Sequence, residues 1–218
     1  RTYSRFLQLL ATCEVRDVVK LQDSTMLPFL EVGKGRISTI HSGKLPPPNH
    51  LTTAFLNASF LGLVDKMAMQ KAVKAIQSTT EEQRRELDDL TFLQWLEDNG
   101  QSKRAIARFW NPIIRLALNI NSAQASAASA IFLFNKAFFS QVDTFDVGCF
   151  TTDFTQAVSS ALRRTLAAAG VEVHLSTSAT SLFRESGKVT GVNTIDGFHA
   201  ASTVIICTPI TATARLLT

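Results

Sequence analysis

The stretch "LRRTLAAAGVEVHLSTSATSLFRESGKVTGVNTIDGFHAASTVIICTP", residues 162–209, changes its apolar period along its length, and that change decides the fold. It begins as the tail of a helical segment, "TDFTQAVSSALRRTLAAAG". There Phe154, Val158, Ala161, Leu162 and Leu166 share one face, and Gly170 is placed to close the helix as a left-handed cap. Four β-rich runs follow: "VEVHL", "ATSLFRE", "KVTGVNT" and "TVIICTP". Ser186–Gly187 and Asp196–Gly197 are turn pairs of the kind that join hairpin strands. The unbroken apolar run "TVIIC" reads as a strand buried on both faces, as in a parallel sheet. Helix, strand, meander and buried strand together give an α/β pattern.

Working outward, the region before residue 146 is mostly helical with a small sheet. A helix is expected over residues 2–14, followed by two strand-like runs, "VVKLQ" and "TMLPFLEV". The turn "GKG" at 33–35 joins the second run to "RISTIH" as a hairpin. "SGKLPPPNH" is a stiff loop, since Pro46, Pro47 and Pro48 have no N–H to donate and favour the extended polyproline conformation. In "FLGLVDKMAMQKAVKAIQ" an apolar stripe of Leu61, Val64, Ala68, Ala72 and Ile76 lies opposite Lys66, Gln70, Lys71 and Lys74. That basic side reads first as a solvated helix face, and an anionic membrane surface is the functional alternative. In "TFLQWLEDNG", Thr91 and Gln94 stand at the capping-box spacing and Gly100 ends the helix.

Composition narrows the function classes. Of 218 residues 45% are hydrophobic and 18% charged, which excludes disorder and allows one large core or two modest ones. The net charge of +4 is mild and its cations are spread out, so nucleic acid is not an expected partner. Cys13, Cys149 and Cys207 are odd in number and far apart, giving neither a zinc site nor a disulfide framework, and a reducing, cytoplasmic setting is expected. His41, His50, His174 and His199 are isolated, so no metal is expected. No Gly-x-Ser-x-Gly elbow occurs, and Asp88, Asp89, Glu97 and Asp98 read as helix-end carboxylates, so neither a hydrolase nor an acid–base pair has an anchor. The most apolar window, "AASAIFLFNKAFF", is interrupted by Asn135 and Lys136 and is too short to span a membrane. The chain opens at Arg1 in a helix already under way and is expected to be a fragment.

The opening segment resembles the late part of the flavin-binding domain in the FAD-dependent amine oxidase and phytoene desaturase superfamily, in which a helix, a Gly, two strands and a Gly-rich hairpin lead to a final apolar strand. "FLQWLEDNGQSKRAIARFWNPIIRLALN", with Trp110, Pro112, Leu118 and Asn119 in order, and the proline loop "KLPPPNHL" are similar to the squalene-associated branch, the hydroxysqualene dehydroxylases. The resemblance covers nearly the whole chain. It implies a helix-rich substrate domain over residues 1–145 and, over 146–218, the C-terminal-side part of a Rossmann-like FAD-binding domain. It further implies FAD contacts at Ala179, Thr208 and Pro209, with reduction of hydroxysqualene to squalene as the reaction. The chain departs from the family with Ala179 where a Val is usual and Ser202 where an Asp is usual. The glycine fingerprint for the dinucleotide does not occur in these residues, and its expected place is upstream of Arg1.

The segment 108–134 then acquires a physical reading. Pro112 biases Asn111 away from helical angles, so two helical pieces are expected to meet at a bend that aims Trp110 toward a pocket. Small residues from Ser122 to Ala130 let helices approach closely, and Phe132, Phe134, Phe138 and Phe139 add apolar surface. Each of these aromatics reads singly as core packing. Together, 15 Phe against one Tyr suit a pocket for a long isoprenoid, with Trp110, Asn119, Phe132 and Phe138 as its expected residues. A phytoene-type desaturase or an amine oxidase relative is the alternative enzyme, and a non-catalytic isoprenoid-binding fragment the alternative of another class. Peripheral contact with the inner face of the membrane is a further expectation.

Overall fold

The computed structural model describes residues 3–24, 26–41, 43, 45–46, 49–139 and 146–217, without the side chains of residues 52–54. By packing, the chain divides into two compact units, Arg1–Ala161 and Leu162–Thr218. The division falls after Ala161 rather than at 145/146 because the strand at 148–150 pairs with one near the start of the chain.

The first unit opens with α1 (Ser4–Thr12) and β1 (Val19–Leu21). The hairpin of β2 (Met26–Glu31) and β3 (Arg36–His41) follows, in antiparallel register from Met26↔His41 to Glu31↔Arg36. Its period of two turns Leu27, Phe29 and Glu31 inward and leaves Met26, Pro28 and Leu30 exposed. Pro47 and Pro48 of the proline loop lie outside the described residues, while the Asn49 N–H closes a turn on the Pro46 carbonyl at 2.9 Å.

Helices then dominate: α2 (Thr52–Asn57), α3 (Leu63–Ser78), α4 (Glu81–Glu86), α5 (Phe92–Asp98), α6 (Lys103–Ala105), α7 (Asn111–Leu118) and α8 (Ala127–Phe134). Of the capping box read from sequence at α5 the Thr91 half is present, and so is the closing glycine. Thr91 Oγ1 accepts the Gln94 N–H at 3.2 Å, and Gly100 has a φ of +72°. The α3 stripe differs from expectation, because Val64 is 77% exposed while Asp65 and Met69 join Ala72 and Ile76 in the interior. Asp65 goes inside since its partners wait there. Its carboxylate accepts from Ser102 Oγ, Arg104 Nε and the Gly62 N–H at 2.7, 2.7 and 2.9 Å.

No break occurs at Pro112. Asn111 keeps helical angles, φ −61° and ψ −45°, and in place of two separate helical pieces there is a π-helical turn, Ile106–Trp110, in which the Asn111 N–H reaches back to the Ile106 carbonyl. A widened turn before Pro112 accommodates a residue that has no N–H to give, so α6 and α7 run on as one helical rod. Further π-turns occupy Asn135–Phe139, after α8, and Thr155–Ser159, before α9 (Ser160–Ala168). Between them β4 (Gly148–Phe150) pairs antiparallel with β1 through Lys20↔Cys149.

The core of this unit gathers around α5, α7 and α8. Ala125, Ala127 and Ala130 are fully buried, as the small-residue run predicts, and let α8 sit close to α5. Trp110 meets Phe109 and Phe134 edge-on, with ring centroids 5.0 Å away in each case. Its indole N–H donates to Gln101 Oε1 at 2.9 Å, and Gln101 Nε2 donates to the Ala68 carbonyl at 2.8 Å, so the one polar atom of the ring is satisfied inside.

In the second unit Gly170, with φ +71°, ends α9 as expected. The meander β5 (Ala179–Glu185), β6 (Lys188–Thr194) and β7 (Gly197–Ala200) is antiparallel in sequence order. Ser186 and Gly187 both have positive φ, 51° and 79°, as a two-residue hairpin turn demands. The second turn is centred on Ile195–Asp196, with Gly197 already in β7. Two expected strands are absent. Neither 171–175 nor 203–207 forms a ladder among the described residues, and Ile205 is 84% exposed rather than buried on both faces. A strand exists only through its neighbours' hydrogen bonds, and no described strand is paired with either run. The chain closes with α10 (Ile210–Leu217), tied to β5 where Arg184 donates to the Leu217 carbonyl at 3.1 Å.

Candidate functional site

Beside the π-turn the first unit opens a groove of about 600 Å³. One wall is the hairpin, through Leu27, Phe29 and Leu30, and the other is α7, through Pro112, Ile113 and Leu116. Its size falls within the range typical of small-molecule sites. The wall on the α7 side exists because the continuous rod carries Pro112 and Leu116, which are exposed, along the same flank as Arg108. Phe60 also lines the groove and stacks on Phe29, with ring centroids 5.0 Å apart.

Polar groups in this groove are few and engaged with one another. Arg108 Nη1 lies 2.9 Å from Glu31 Oε1 and also donates to the Phe60 carbonyl at 3.2 Å. Lys34 adds a second cation to Glu31 at 3.4 Å. Glu31 and Arg108 are the ionisable side chains along the lining, and their mutual pairing leaves a channel suited to holding an apolar chain rather than to exchanging protons with it.

The four residues expected to form the pocket are not brought together. Trp110, expected on a pocket wall, is completely buried and does not line the groove, connecting to it through Phe109 and the Phe109–Phe29 stack at 6.3 Å. Phe138 is buried in the same aromatic cluster, 5.2 Å from Phe134. Phe132 is 47% exposed with the Arg84 guanidinium 5.2 Å over its ring. Asn119 serves as the left-handed cap of α7, with φ +58°. Sequence reasoning missed the hairpin wall. Its signal was the alternation that sets Leu27, Phe29 and Glu31 on one face, and Arg108, four residues before Pro112, was the matching signal on the helix.

Asp65 and His50 are among the groups of this unit whose acidities are shifted. Burial works against the charge on Asp65, but the hydrogen bonds from Ser102, Arg104 and Gly62 outweigh it and hold the carboxyl below its ordinary range. Burial pushes the His50 imidazole down, which keeps it neutral in the interior.

In the second unit Ala179 begins β5 opposite Thr194, and Thr208 and Pro209 precede α10, where the Thr213 N–H donates to the Pro209 carbonyl at 2.9 Å. All three are exposed and uncharged. Among the described residues, the backbone of 203–207 leading to them makes no ladder. Small side chains and open backbone fit a supporting contact to a flavin nucleotide, and none of the three carries a group that would repel one.

Comparison with known proteins agrees with this description. The family profile for flavin-containing amine oxidoreductases matches residues 1–218. The crystal structure of an oxidoreductase from Methanosarcina mazei superposes with a TM-score of 0.62 at 17% identity, covering 95% of this chain and 46% of that one. At that identity the likeness speaks for the fold alone, and the chain spans less than half the length of this relative. Among curated proteins no match is found. A family match along the full length leads to one statement: the chain belongs to the flavin-containing amine oxidoreductase family, whose cofactor is FAD.

Proposed function

We propose that this chain contributes the substrate groove of an FAD-dependent oxidoreductase acting on a long apolar isoprenoid, with the reduction of hydroxysqualene to squalene as its reaction. The observation that carries this reading is the groove, whose walls are apolar and whose lining charges are paired with one another. When bound, FAD supplies the hydride chemistry. Ala179, Thr208 and Pro209 would hold its nucleotide end. Everything else falls to residues of the first unit. Leu27, Phe29, Ile113 and Leu116 would bind the hydrocarbon and exclude water, which matters because a carbon losing its hydroxyl takes on positive character that water would capture. Trp110 and Phe138 would keep the wall in place from behind. Glu31 and Arg108 neutralise each other at the lining, so neither draws water toward the substrate.

The test is turnover of hydroxysqualene by the full-length enzyme with reduced FAD, followed as squalene formed. Leu116 is 68% exposed in the groove, so Leu116→Glu should leave the melting temperature within about a degree while lowering kcat/KM roughly tenfold or more, since it sets an unpaired charge against the hydrocarbon. Turnover of phytoene instead of hydroxysqualene would assign a desaturase. Turnover of amines alone would remove the isoprenoid reading, and isoprenoid binding without turnover would leave a binding module.

A further inference from the structure

Helix α3 presents two unlike faces. Asp65, Met69, Ala72 and Ile76 are buried on one side. On the opposite side the first turns expose Leu63, Val64 and Met67 at 73%, 77% and 65%, and the later turns expose Lys71 and Lys74 along the same line. Leu56, 52% exposed, stands beside them, its carbonyl held by Lys66 Nζ at 2.5 Å. Single exposed apolar side chains are ordinary, but Leu63, Val64 and Met67 fall on one face of the same helix within its first turns. The only acid of α3, Asp65, is turned inward to Ser102 and Arg104, so the outer face carries cations without anions of its own. A cavity of about 270 Å³ opens on the flank of this face between Leu56, Met69, Val73 and Phe139, with Lys66 and Lys74 at its rim.

We infer that the outer face of α3, with Leu56, docks onto an anionic lipid bilayer. Leu63, Val64 and Met67 enter the boundary between headgroups and acyl chains, Lys71 and Lys74 meet the headgroup charge, and the cavity opens toward the lipid. Charge decides among the occupants. A second copy of the same face would bring lysines against lysines, whereas an anionic surface complements them. Among the described residues no helix is long and apolar enough to cross a membrane, so the contact is interfacial. The inference does not depend on which lipid the groove takes.

The experiment is flotation of the full-length FAD-loaded protein with vesicles of phosphatidylcholine alone or with phosphatidylglycerol added, at low and high NaCl. Binding should require phosphatidylglycerol and weaken with salt. Lys71→Glu/Lys74→Glu should bind at least about thirty-fold more weakly, at roughly the strength that two lysines contribute near a charged surface. Val64→Glu/Met67→Glu should lose binding at every salt concentration, with an unchanged circular dichroism spectrum and unchanged turnover of detergent-dispersed substrate. Equal binding to both vesicle types, or parental binding by either double variant, overturns the inference. So does a parent that ignores vesicles but forms a dimer that Val64→Glu/Met67→Glu dissociates, which would give the face to a second copy.

Discussion

Both units carry long apolar runs, yet they treat them in opposite ways. In Arg1–Ala161 the runs around α5, α7 and α8 become a dense interior in which Phe92, Trp110 and Ile131 are wholly inaccessible. In Leu162–Thr218 the comparable residues Val171, Phe183, Ile195, Phe198, Ile205 and Ile210 all remain exposed, and among the described residues no hydrophobic side chain after Ala161 is buried. A helix surrounded by helices finds partners for every side, whereas a three-stranded meander has two faces and α10 packs chiefly against its edge strand β5. Apolar sequence becomes core only where a second layer exists to receive it.

The largest effect that would break this contrast sits at Trp110. Trp110→Ala removes a completely buried ring and strands the Gln101 amide, so denaturant unfolding should show a loss of about 4 kcal/mol. A loss under about 1 kcal/mol would mean that the aromatic cluster is not the centre of the first unit.

A smaller effect is expected at Asp65. Asp65→Asn keeps the shape but removes the charge that Ser102 and Arg104 address, and should cost about 2 kcal/mol at neutral pH. Because the folded carboxyl titrates below its ordinary range, its contribution is present above the unfolded value and is lost as pH falls through the folded one. The gap between parent and variant should therefore close below about pH 4. A gap that stays constant into acid would show that geometry, not charge, is what the site uses.

The smallest effect belongs to the second unit. Ile205→Ser, at a side chain 84% exposed, should change stability by no more than about 0.5 kcal/mol in this chain. A change several times larger would place residues 203–207 in a packed layer and erase the difference between the units.

How much of this was legible in the sequence follows the range of each interaction. Gly100, Gly170, the Thr91 cap and the Ser186–Gly187 turn were readable because each is settled by bonds to residues a few positions away. Asp65 was not, since its partners Ser102 and Arg104 lie on another helix and the stripe through Val64 is the better local pattern. Pro112 was read as a break because proline's local rule is strong, and a π-turn that absorbs it leaves no mark in composition. The groove was hidden for the same reason. Leu27 and Leu116 are ordinary leucines until the hairpin is laid against α7.

The most direct measurement of the central claim is photocrosslinking of the full-length enzyme with a benzophenone-bearing isoprenoid, followed by mapping of the labelled peptides. The account predicts label in residues 27–33 and 107–116, the two walls of the groove, and its loss on competition with unmodified hydroxysqualene. Competed label confined to other parts of the chain, with both walls unlabelled, would contradict it.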